Sequence, residues 1–179
     1  EVRQGAFISA LLAGEVQRAA ALAPQDTETD SSIRQMGRLV RAVDALALGK
    51  AKDAYLLMAP AGFDANNRAV AALLTPIMAS AAGETDIATI RPNPRINGVV
   101  QYFGQLVQAH ALERAKRFDE AETDYKLLTA PEAPTGALFV ADYGAFLERR
   151  GRRAEAIALY DQGLAKNSGD LGLRAARQR

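Results

Sequence analysis

Residues Glu113–Tyr125 read ERAKRFDEAETDY, and residues Glu148–Tyr160 read ERRGRRAEAIALY. In both, a Leu-Glu-Arg triplet (112–114 and 147–149) closes an apolar run, and a basic break follows at Lys116 and Gly151. An alanine stands five residues after each break, Ala121 and Ala156, and a tyrosine four residues after that, Tyr125 and Tyr160. The two copies lie 35 residues apart. A period of about 20–50 residues is the mark of supersecondary units that stack on one another.

The same five-residue step recurs upstream, from Gly14 to Ala19, Gly49 to Ala54 and Gly83 to Ala88. The five alanines are spaced by 35, 34, 33 and 35 residues, and four of the five break residues are glycine. Glycine ends a helix by entering the left-handed region at little steric cost. Alanine is small enough to let a second helix close on the first at the usual distance of about 8–10 Å.

Composition agrees with a helical reading. Of 179 residues, 49% are hydrophobic and 24% charged, which suits a folded, water-soluble chain, and only 6% are aromatic. Alanine, the strongest helix former, is abundant. Alternating Val, Ile and Thr runs are missing, so strands are not expected. The pattern predicts helices near 3–13 and 15–23, 32–48 and 50–59, and 65–82 with a kink at Pro76. A short helix from Glu84 is stopped by Pro92. Helices near 98–116 and 118–129, 136–150 and 152–166, and a last basic helix from Asp170 complete the chain. Asp30, Ser31 and Asp64 stand where N-caps are needed.

Several function classes are excluded. The net charge is +1, so no overall field draws nucleic acid or an anionic membrane. There is no cysteine, and His110 is the single histidine, which removes thiolate chemistry and any site needing two imidazoles. Phosphate-loop, nucleophile-elbow and zinc-protease motifs are missing. No enzyme activity, cofactor or metal is expected. The most apolar stretch, 69–82, has 14 residues and contains Pro76, too short to insert across a bilayer. The opening EVRQGAFISALLAGE reads as mid-helix and not as a leader, and the expectation is an excised part of a longer protein.

The units resemble tetratricopeptide repeats, helix–turn–helix units of about 34 residues. In the last unit Gly144 falls at the small position, Leu147 at the tyrosine position, Gly151 at the turn, Ala156 at the alanine and Tyr160 at the aromatic, while Gly163 replaces the second alanine. The fourth unit offers Ala109, Leu112, Phe118, Ala121 and Tyr125. In the first three units the glycine and alanine persist, with Ala23, Met58 and Pro92 at the aromatic place. The Ala-rich, degenerate look is similar to the repeat proteins of the bacterial cell envelope. The resemblance implies an all-α, α/α superhelix: a right-handed solenoid of about five hairpins plus a C-terminal helix. It forms one array over 1–179, with weaker repeats in 1–96, better-formed ones in 97–168 and the terminal helix in 169–179. It further implies a non-catalytic scaffold or adaptor whose concave face, lined by first helices, binds a segment of another protein. The alternative is a structural spacer within a longer array. A periplasmic or envelope setting fits this resemblance better than the cytoplasm.

On that frame the Leu-Glu-Arg repeats set Glu113, Arg114, Glu148 and Arg149 side by side on the concave rim, as a strip able to grip a peptide. They could equally be solvated helix ends. His110, one turn before Arg114, faces the same way. Phe103 and Leu106, with Tyr102 and Val107, are candidates for an apolar groove floor or for core. Lys116, Arg117, Arg149, Arg150, Arg152 and Arg153 cluster at turns and are expected to form a solvated basic ridge.

The link RPNPRING, residues 91–98, has two prolines and a glycine and so few internal backbone bonds. Limited trypsin digestion is expected to cut first after Arg95, since Pro92 protects the bond after Arg91. Helical sites cleaved while Arg95 survives would contradict this.

Overall fold

A computed structural model of the chain describes residues 2–25, 30–58, 62–91, 98–134 and 137–179. Among the described residues every regular element is helical. The link at 92–97, and with it the expected cleavage site, lies outside them. The helices are α1 (Val2–Leu12), α2 (Val16–Leu22), α3 (Ser31–Ala47), α4 (Ala51–Met58), α5 (Ala65–Ala82), α6 (Thr85–Ala88), α7 (Gly98–Arg114), α8 (Phe118–Thr129), α9 (Val140–Arg149), α10 (Arg153–Lys166) and α11 (Leu171–Gln178). The chain forms two compact units, Glu1–Gly104 and Gln105–Arg179, whose boundary falls inside α7 and not at the proline-rich link.

The five break residues do one job. Gly14, Gly49, Gly83, Lys116 and Gly151 all have φ between 61 and 86°, in the left-handed region. The next amide in each case reaches back over the turn. Glu15 N–H donates to Ala10, Lys50 to Ala45, Glu84 to Ala79, Arg117 to Leu112 and Arg152 to Leu147, at 2.8–2.9 Å. This six-to-one bond, with the bond from the break residue itself to the carbonyl three residues back, satisfies carbonyls that a helix end leaves bare. Among the described residues Lys116 is the one non-glycine residue that accepts the left-handed strain.

Each turn fixes the direction of the helix that follows, and the alanine five residues on meets the partner helix. Ala19, Ala54, Ala88, Ala121 and Ala156 are all buried, at 0 or 1% exposure. Helices α1 and α2, α3 and α4, α5 and α6, and α9 and α10 pack as hairpins. In the amino-terminal unit one core joins Phe7, Ala10, Ala19 and Val40, and a second joins Leu39, Ala54, Met58, Ala71 and Met78. Helix α3 contributes to both, through Val40 and Leu39. In the carboxy-terminal unit a single aromatic core gathers Leu112, Tyr125, Tyr143, Phe146, Leu147, Tyr160 and Leu173.

Caps and boundaries follow local chemistry. The Asp30 carboxylate accepts from the amides of Ser32 and Ile33, so Asp30 and not Ser31 caps α3. Asp64 accepts from Asn66 and Asn67, and Asp170 from Leu173. Helix α5 continues through Pro76 up to the glycine turn at Gly83. Helix α9 starts at Val140 and not near 136, because residues 137–139 remain in a turn.

The small residues of the last repeat are sterically required. A Cβ at Gly144 would stand 2.0 Å from Cε1 of Tyr160, a ring with no exposed surface. A Cβ at Gly163 would stand 2.8 Å from a Leu173 methyl. Gly144→Ala and Ala156→Leu are each expected to lower stability by about 1–3 kcal/mol through overpacking. An unchanged denaturant midpoint for both would show that this helix pair has slack.

Candidate partner-binding site

The carboxy-terminal unit holds an open cavity of about 650 Å³. The end of α7 supplies His110, Glu113 and Arg114 to it. The turn after α7 supplies Lys116, and the start of α8 supplies Phe118. Helix α9 and its turn supply Asp142, Ala145, Arg149 and Arg150. The sequence period explains the meeting: adding 35 to His110 gives Ala145 and adding 35 to Arg114 gives Arg149, so equivalent faces of two first helices confront each other.

Charge in the cavity is unevenly paired. Arg149 donates from Nε and an Nη to both Glu113 oxygens, at 2.6 and 2.8 Å. This two-pronged geometry is the strongest that a guanidinium and a carboxylate form. Glu113 is 16% exposed with both oxygens engaged, and its hydrogen bond, outweighing the opposing effect of burial, pushes the Arg149 guanidinium further up. Asp142 lies 3.8 Å from Nε2 of His110, whose ring sits 6.0 Å from Tyr125. Arg150 lies over the Phe118 ring at 3.7 Å, a cation–π contact that fixes its guanidinium at the wall. Arg114 is exposed and projects from the last turn of α7. Arg114, Lys116, Arg149 and Arg150 thus face only two carboxylates, one of which is consumed by Arg149. The surplus is positive, and an acidic group entering the cavity meets forked donors.

The residues expected to share this face divide. His110, Glu113, Arg114 and Arg149 come together at the cavity. Glu113 is not free to accept from a ligand, because Arg149 of the following repeat holds it. Glu148, its repeat equivalent, is held instead by Arg153 at 3.4 Å and Arg179 at 3.7 Å. Leu106 is partly buried and packs on the aromatic core. Phe103 is exposed and belongs to the amino-terminal unit. Val107 is half-buried. Asp142, Ala145 and Phe118 were not foreseen as site residues. For Ala145 and Asp142 the signal was present in the register, since they stand 35 and 32 positions after His110; Phe118 has no such signal.

The expected basic ridge is mostly neutralised. Arg117 grips Glu120 through two bonds of 2.7 Å. Arg152 reaches Glu122 at 2.5 Å and Glu155 at 2.7 Å. Lys116 and Arg150 are the ridge members that turn to the cavity together with Arg149.

No family model, curated protein or solved structure matches this chain. Among the described residues no helix is long and apolar enough to cross a membrane, and no group of three potential metal ligands occurs.

Behind the cavity, Glu122 ties α8 to α9 and α10. It accepts from Arg152, from Lys126 at 2.8 Å and from the Tyr143 hydroxyl at 3.1 Å. The Arg152 hydrogen bond, against the opposing effect of burial, brings the Glu122 carboxyl down to about 2 from 4.5. Burial and the Glu122 charge raise the Tyr143 phenol to about 12. A carboxyl depressed in the folded state contributes stability above its unfolded value and loses that contribution as protons rebind to it. Stability is therefore expected to fall as pH drops from about 4.5 towards 2. Glu122→Gln should flatten that slope and, at neutral pH, cost about 1.5–3 kcal/mol from the lost charged hydrogen bonds. Parallel acid titrations of both proteins by circular dichroism check this, and identical slopes would contradict it.

Proposed function

We propose that the chain is a tetratricopeptide-like helical-repeat scaffold that seats an acidic segment of a partner protein in the cavity between α7 and α9. The solenoid reading is supported by five helix–turn–helix units with the same left-handed turn, the same six-to-one bond and the same buried alanine. Packing of sequence neighbours within each unit suits an array in which each repeat leans on the next. The observation that carries the binding reading is the surplus of guanidinium and ammonium groups around an open cavity with one aromatic wall. Arginine forks suit carboxylates, and backbone carbonyls of an extended segment offer further acceptors. The Ala-rich, cysteine-free repeats, on their resemblance to envelope proteins, fit a bacterial envelope or periplasmic setting.

The bridge between Glu113 and Arg149 links successive repeats and would also stiffen a structural spacer. The two readings separate on one residue. Arg149→Ala would strand the Glu113 carboxylate, so it mixes folding with binding. Among the described residues Arg114 has no ion-pair partner, so its removal probes binding alone.

Peptides selected on the immobilised chain from a random display library are expected to be rich in Asp and Glu. Arg114→Ala should weaken the best of them at least tenfold, about 1.4 kcal/mol, and leave the thermal melt unchanged. Arg18→Ala, on α2, should change neither. Selection of no acidic peptide, or affinity indifferent to Arg114, would favour the spacer.

A further inference from the structure

Histidine is the side chain that ordinarily changes charge between about pH 5 and 8. The chain has one, His110, and it lines the cationic cavity of the carboxy-terminal unit. Its side chain is 48% exposed, so solvent protons reach it, and its Nε2 stands 3.8 Å from an Asp142 oxygen. That separation is long for a hydrogen bond and within the reach of an ion pair. The contact is a charge pair only when the imidazole carries its second proton.

The charged and titratable groups around the ring come from three helices and their turns. Helix α7 and the turn after it bring Glu113, Arg114 and Lys116. Helix α8 brings Tyr125, its ring 6.0 Å away and tilted by 48°. Burial, ahead of the nearby Glu113 charge, holds the Tyr125 phenol above its ordinary range, so it stays neutral. Helix α9 and its turn bring Asp142, Arg149 and Arg150. Arginine, lysine and carboxylate side chains ordinarily keep their charges across the imidazole range. Glu113 is taken up by Arg149. Among the described residues no arginine or lysine stands within ion-pair distance of Asp142, whose neighbour is His110. An acidic segment entering the cavity therefore meets one opposing carboxylate, and a single proton on His110 offsets it.

We propose that His110 and Asp142 form an acid-strengthened latch: protonation of His110 neutralises Asp142 and tightens the hold of the cavity on an acidic partner segment. The latch deepens the acidic-segment reading of the same cavity and depends on it. The sign follows from charge. The imidazolium adds one positive charge to the lining and masks the carboxylate that repels the ligand, so affinity rises as pH falls through the imidazole range. Coupling of this kind is reciprocal, so a bound acidic segment must in turn make His110 easier to protonate.

Calorimetric titration of the whole chain with a capped hexaaspartate peptide, at about pH 8 and about pH 5.5 and at constant ionic strength, tests it. Binding is expected to be about fivefold tighter or more at the lower pH, and to weaken with Arg114→Ala at both. His110→Gln should bring the two affinities to within about twofold of each other. Asp142→Asn should bind more tightly than the parent chain at the higher pH, because the opposing carboxylate is gone. Proton NMR gives the reciprocal reading with no substitution. The chain has one histidine, so the His110 Cε1–H resonance titrates alone, and its midpoint should move to higher pH when the peptide is bound. Binding that needs Arg114 but has one affinity at both pH values would overturn the latch and leave the acidic-segment reading standing. So would a pH dependence that survives in folded His110→Gln, or a His110 midpoint indifferent to the peptide. Absence of hexaaspartate binding at either pH would overturn both.

Discussion

Every hairpin in this protein depends on one backbone event, a residue forced into the left-handed region directly after a helix. That conformation lets the following amide reach a carbonyl five residues back and sets the angle at which the next helix leaves. Once the angle is set, the fifth residue of the departing segment lands on the helix just completed. The side chain there is small in all five units, and Ala19, Ala54, Ala88, Ala121 and Ala156 are buried. The turn and the alanine are one constraint expressed at two positions. Glycine meets it cheaply at four turns. At Lys116 the chain accepts strain of about 1 kcal/mol or more, and the same residue lies at the rim of the cationic cavity.

Within that frame the two units fill their cores differently. The carboxy-terminal unit uses Tyr125, Tyr143, Phe146 and Tyr160, with Tyr125 and Tyr143 stacked at 5.7 Å. A large ring needs a compensating void opposite, and Gly144 supplies one for Tyr160, while Gly163 makes room for Leu173 and Val140. The amino-terminal unit uses alanine, methionine, Leu39, Val40 and one buried phenylalanine, Phe7, in its two smaller cores. Aromatic side chains bury more area each and fix geometry more tightly, which is why the last two repeats are the ones in which the sequence pattern is clearest.

Charge follows the same period as packing. Because equivalent residues of adjacent repeats face each other, a Leu-Glu-Arg triplet in both units brings Glu113 of one opposite Arg149 of the next. The pair becomes an inter-repeat clamp, and the cations it leaves over define the cavity. Ion pairs of Arg117 with Glu120, Arg152 with Glu155, Arg149 with Glu113 and Arg153 with Glu148 remove most of the positive ridge that the raw sequence shows. What remains is local and directed, in keeping with a chain whose net charge is +1.

The sequence by itself determined the helical class, the five turns, the five buried alanines and most helix limits. These are local properties: left-handed φ, cap chemistry and side-chain size act within a few residues of where they are written. It also placed His110, Arg114 and Arg149 together, because a fixed period converts sequence distance into spatial adjacency. Only the tertiary structure decided which charges stay free. Whether Glu113 meets a ligand or Arg149, and whether Leu106 lines a groove or the core, depends on side-chain reach between helices, which no spacing records.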